Sequence, residues 1–119
     1  MGKDGRYTLT VRHGSEVSRE RLGTLEGAVE ELRRQAEEIR SEGTLRAVSA
    51  IRDFEPGQRV HARLEISAGG MLRSREAGVD VMGDGSMVPF RGGIRRAELQ
   101  PAEDQSVFDA ISEALGGRR

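Results

Sequence analysis

Arg59-Val60-His61-Ala62-Arg63-Leu64-Glu65-Ile66-Ser67 alternates polar and apolar residues without a break. Side chains in an extended chain point to opposite faces at a period of two. Val60, Ala62, Leu64 and Ile66 therefore share an inner face, and Arg59, His61, Arg63 and Glu65 share an outer one. The stretch reads as a half-buried strand, and it implies a sheet with one apolar and one polar side.

Working outward, Glu55-Pro56-Gly57-Gln58 sets Pro and Gly at the central positions of a type II turn, and residues 45–54 read as a strand that ends at Phe54. Downstream, residues 68–76 read as a loop, and Val79 and Val81 begin the next strand. Gly83-Asp84-Gly85-Ser86 reads as a turn and residues 87–91 as a return strand. Pro89 argues for an edge position, and residues 94–99 form a last short strand.

At the start of the chain Tyr7, Leu9 and Val11 alternate with Thr8, Thr10 and Arg12. Gly14-Ser15 suits a two-residue II′ turn, after which residues 16–22 return with Leu22 beside Tyr7. Thr24 is a good helix N-cap. Leu25, Ala28, Val29, Leu32, Ala36 and Ile39 then recur at helical spacing, with Gly43 as the natural stop. Glu30–Arg34, Arg33–Glu37 and Arg34–Glu38 stand at i,i+4 on its solvent side. A second amphipathic helix follows Ser106, which with Asp109 resembles a capping box, and it ends at Gly116-Gly117.

The expected architecture is α+β: a mostly antiparallel sheet of four to six strands with both helices on one face. The 119 residues make one domain, with residues 1–5 and 117–119 as disordered tails. Apolar residues are only 35% of the chain, a thin supply for a core, so a dimer that shares surface is in keeping with the composition.

Composition removes several chemistries. With no cysteine there is no disulfide framework, thiolate nucleophile or Cys-ligated metal. No apolar run approaches the ~20 residues of a membrane helix, and the first residues lack a secretory core, which reads as a soluble cytoplasmic protein with no membrane partner. Eighteen arginines stand against one lysine, Lys3, an imbalance that codon bias in a GC-rich genome explains. The net charge is −1 but unevenly spread. Residues 25–43 and 100–119 are acidic, whereas residues 1–24 and 44–99 are mildly basic. A sheet covered by helices on one side would present Arg12, Arg59, His61 and Arg63 on the other. These four are the candidate surface for an anion or a partner. The aromatics offer little to a stacked base, since Tyr7, Phe54 and Phe108 read as core and only Phe90 as exposed.

Other motifs reduce to ordinary structure. Val11-Arg12-His13-Gly14 resembles the opening motif of histidine phosphatases, in which the histidine accepts the phosphoryl group. That chemistry needs a second histidine and further arginines, and the other histidine, His61, falls in mid-strand, so His13 reads as a strand-end residue. Asp80 and Asp84 lack the density of oxygen ligands of a calcium loop. Arg91-Gly92-Gly93 is a single RGG unit inside a hairpin and reads as a bulge or bend. No nucleophile has its base and no metal set is complete, so the sequence reads as non-enzymatic, with no cofactor and no metal.

The segments Tyr7 to Gly14, Gly78 to Ser86 and Ser106 to Leu115 together resemble a group of short conserved hypothetical proteins of GC-rich bacteria, a resemblance that implies no site residues. The order of elements, with Glu103 to Ile111 opening the last helix, is similar to ribosome-hibernation factors and double-stranded-RNA-binding domains. That resemblance implies binding of structured RNA through a basic surface. The expectation is a non-catalytic binding or assembly module, acting through self-association or another protein, with weak RNA or polyanion binding as the alternative.

Overall fold

The structure is a computed structural model and describes residues 6–50, 60–69, 75–92 and 96–116, with side chains throughout except at 43–50. The terminal segments 1–5 and 117–119, the turn at 55–58, and Asp53, Phe54 and Arg59 lie outside the described residues.

Six strands form one antiparallel sheet: β1 (Tyr7–His13), β2 (Glu16–Leu22), β3 (Val60–Ala68), β4 (Arg75–Met82), β5 (Met87–Arg91) and β6 (Ala97–Glu98), in the spatial order β2-β1-β3-β4-β5-β6. Two helices, α1 (Leu25–Ala50) and α2 (Val107–Ala114), pack on one face of it and touch each other. The fold is α+β, with the helix pair covering one side of the sheet.

The β1–β2 hairpin turns where expected. Gly14 has φ +66° and Ser15 does not have positive φ, which selects the II′ turn over I′. Tyr7 pairs with Leu22 and His13 with Glu16, as the alternation requires. Thr24 caps α1 by accepting the Gly27 N–H at 3.0 Å. Ala28, Leu32, Ala36 and Ile39 of α1 then bury against Leu9, Val11, Leu64, Ile66, Val79 and Val81 of the sheet. Ile111 and Leu115 close the other end of this core.

Several expectations are corrected. Gly43 does not end α1, which continues to Ala50, so residues 45–50 are helical and not a strand. Thr44 to Ala50 contains good helix formers and no proline, and one interior glycine costs only about 1 kcal/mol against alanine. On the outer face of α1, Arg33 pairs with Glu30 at 2.5 Å and with Glu37 at 3.3 Å, while Arg34 pairs with Glu31 and with Glu38 at 3.6 Å. The two shortest contacts are thus i,i+3, and no Glu30–Arg34 pair forms. The alternation of β3 also breaks at its start. Val60 pairs with Met82 and Ala62 with Val81, so His61 is the extra residue of a bulge and Val60 is left 46% exposed.

Pro89 sits in the penultimate strand, not the last. Its carbonyl accepts the Leu99 N–H at 2.9 Å, so its missing N–H faces the side that only the two-residue β6 covers. Gly78 in β4 lies where a Cβ would come within 2.0 Å of the Leu64 carbonyl oxygen. The close approach of β3 and β4 therefore excludes every side chain there. Ser106 caps α2 through a capping box, donating its N–H to Asp109 Oδ2 at 3.2 Å and accepting the Asp109 N–H at 3.0 Å.

Candidate functional site

The helix-free face of the sheet is a grid of cross-strand neighbours. One row runs Val17, Arg12, Arg63, Asp80, Val88. The next runs Arg19, Thr10, Glu65, Gly78, Phe90, Glu98. A third runs Arg21, Thr8, Ser67, Glu76. Directly opposed residues in an antiparallel pair share a face. The other half of β2 (Glu16, Ser18, Glu20 and Leu22) therefore points to the helix side.

The middle of the grid is a closed cluster. Asp80 is buried, and its carboxylate accepts Arg63 Nε at 2.7 Å and Nη2 at 3.2 Å. Arg96 Nη2 donates to the second oxygen of the same carboxylate. Both guanidinium groups lie over the Phe90 ring, Arg96 at 4.3 Å and Arg63 at 5.5 Å from its centroid. Phe90 is consequently only 2% exposed, although it lies outside the main core and on the opposite side of the sheet from the helices. The expectation of an exposed Phe90 is corrected. The two arginine planes roof the ring. The hydrogen bond to Asp80 also holds the Arg63 guanidinium more firmly protonated than usual.

Beside this cluster stand two carboxylates. Glu65 Oε2 and Glu76 Oε1 lie 2.8 and 3.1 Å from one point, the place where a Cβ on residue 92 would be. Gly92 keeps that space open. Burial pushes the Glu65 carboxyl above its ordinary range, and the neighbouring Glu76 charge adds to the effect. Arg63, Arg12 and Arg96 pull the other way.

Toward β2 the face changes sign. Arg12, Arg19 and Arg21 are exposed, and none of them makes an ion pair with a described residue. Both acids of β2, Glu16 and Glu20, are on the other side of the strand. Alternation within the hairpin thus separates a polar strand into a basic outer face and an acidic inner one.

Of the four residues expected to share a surface, Arg59 lies outside the described residues, and the fold separates the other three. Arg12 is on the open face as expected. Arg63 is on that face but is committed to Asp80. His61 is displaced by the bulge and meets His13, with their Nε2 atoms 3.2 Å apart. Sequence reasoning missed Arg19 and Arg21, although the register that places Leu22 beside Tyr7 also places both on the face of Thr8 and Thr10. It also missed Asp80 as the partner of Arg63, while Asp84 serves the turn as expected and accepts the Ser86 N–H at 2.9 Å. The available signal was an acid between Val79 and Val81, on the polar side of a strand.

No helix among the described residues is long and apolar enough to cross a membrane. No protein-family model, curated protein or solved structure matches this chain.

Proposed function

We propose that this protein is a non-catalytic binding module whose helix-free sheet face receives an anionic polymer, with cytoplasmic RNA as the ligand class. The single observation behind this reading is the arrangement of Arg12, Arg19 and Arg21 on one face of the β1–β2 hairpin, exposed and without ion-pair partners among the described residues. Guanidinium groups so placed suit phosphate oxygens, which they contact bidentately. The Asp80 carboxylate holds both Arg63 and Arg96, so the exposed arginines without ion-pair partners among the described residues stand at the hairpin end.

Three phosphate contacts without base stacking give weak, salt-sensitive and sequence-tolerant binding, of the order of 10⁻⁴ to 10⁻⁶ M at physiological salt. Anisotropy of a labelled RNA hairpin titrated with the protein at low and moderate salt tests this. Saturable binding that weakens as salt rises is the expected result, and binding that ignores salt contradicts it.

A second reading, self-association or docking of another protein, has its own observation. Among the described residues no strand pairs with the outer edge of β2, which runs the seven residues from Glu16 to Leu22. The described surface offers little apolar area to such an interface, since Val17 and Val60 are its exposed large hydrophobic side chains. Light scattering of the protein alone distinguishes the two: a monomer favours the RNA reading, and a fixed dimer favours the edge.

A further inference from the structure

His13 ends β1, and His61 is the extra residue of the β3 bulge. The bulge is what brings them together, because regular alternation from Ala62 would turn His61 to the opposite face of the sheet from His13. Their Nε2 atoms are 3.2 Å apart, the ring centroids 4.8 Å, and the planes meet at 70°. A collinear N–H···N bond at this nitrogen separation would hold the centroids about 5.5 Å apart. The shorter observed separation tilts the rings off the line that joins the nitrogens. Two imidazoles bound to one tetrahedral zinc ion at about 2.0–2.1 Å have their nitrogens roughly 3.3 Å and their centroids roughly 5.2 Å apart, so this pair would open by only a few tenths of an ångström to hold one.

The surroundings favour a cation. His13 also borders a cavity of about 280 Å³ between the hairpin and α1, whose charged lining among the described residues is Glu16, Glu38 and Glu42. Glu38 and Glu42 are one helical turn apart on α1, and Glu16 is the cross-strand partner of His13. Among the described residues no group of three His, Asp, Glu or Cys side chains is arranged to hold a metal ion, so water would complete the coordination shell.

We infer that His13 and His61 form a two-histidine site for a divalent first-row transition ion, zinc or its neighbours, at the mouth of this acidic cavity. Imidazole nitrogens suit Zn²⁺, Ni²⁺ and Cu²⁺, and the three carboxylates raise the local concentration of any dication. The site is at the opposite side of the hairpin from the arginines and does not depend on the RNA reading.

The chain contains two histidines, so their ring-proton NMR signals report the site without ambiguity. Chelator-stripped full-length protein titrated with Zn²⁺ should shift both histidine signals together and saturate at one equivalent. His13→Asn and His61→Asn should each weaken Zn²⁺ binding by at least tenfold in calorimetry. The wild-type NMR titration decides the matter even if a variant fails to fold. Neither signal moving up to millimolar Zn²⁺, one moving without the other, or undiminished binding in both folded variants would overturn the proposal.

Discussion

Arg12 and Arg63 stand directly opposite each other on β1 and β3, and of the two only Arg63 makes an ion pair with a described residue. Like charges placed face to face across a strand pair are destabilising. Asp80, on the far side of Arg63, relieves the clash by drawing that guanidinium toward β4. The cluster of Asp80, Arg63, Arg96 and Phe90 thus has a structural reason to exist, and it leaves Arg12 with Arg19 and Arg21 as the available cations.

Asp80→Asn should destabilise the protein by about 2 kcal/mol, because it weakens charge-assisted bonds to two arginines that remain half-buried over Phe90. Urea unfolding at neutral pH measures this. A change under about 0.5 kcal/mol, the range of ordinary surface substitutions, would mean that the pairing is incidental.

Gly78→Ala should be the most damaging single methyl in the sheet. Its Cβ would meet the Leu64 carbonyl oxygen at 2.0 Å and the Glu65 Cα at 2.7 Å, both backbone atoms of a central strand. A loss of about 3 kcal/mol or failure to fold is expected from such overpacking. Near-wild-type stability by urea unfolding would show that β3 and β4 are less closely apposed.

The raised pKa of Glu65 fixes the sign of a pH effect. Burial and the Glu76 charge favour its protonated form in the folded state. The folded protein therefore holds the proton to higher pH than the unfolded chain, and stability falls as pH rises from the unfolded value near 4.5 through the raised folded value. Glu65→Gln removes that penalty. The variant should be the more stable protein at pH 7, and the difference should shrink as pH falls below 4.5. Urea unfolding of both proteins across this range checks it, and a variant less stable at pH 7 contradicts it.

Ser106→Ala should cost about 1 kcal/mol, since the hydroxyl accepts the Asp109 N–H at the start of an eight-residue helix. Thermal unfolding measures the loss.

Much of this fold was legible because one face of each strand is apolar. Tyr7, Leu9 and Val11 fixed β1 and, through the Gly14 turn, the register of β2. What escaped depends on contacts that a strand pattern does not carry. Residues 45–50 satisfy either a helical or an extended period, and their helical state follows from continuation of α1. The bulge at His61 breaks the alternation of faces while the polar–apolar order of Val60-His61-Ala62 still reads as regular, so the meeting of His13 and His61 was invisible. Phe90 looked exposed because the arginines that roof it come from β3 and from beyond β5. Arg19 and Arg21 were legible in principle, but a strand as polar as β2 gives little reason to assign its faces until its register is known.

The most direct test of the central claim is the salt dependence of RNA binding in the wild-type protein and in Arg19→Gln/Arg21→Gln. Both side chains are exposed, so the double variant should keep its stability within about 0.5 kcal/mol. Removing one phosphate-binding arginine should lower the slope of log K against log salt by about 0.7–0.9. The expected slope for the double variant is therefore lower by roughly 1.5, with weaker binding at every salt concentration. An unchanged slope and affinity in a folded double variant would place the binding surface elsewhere and contradict the account.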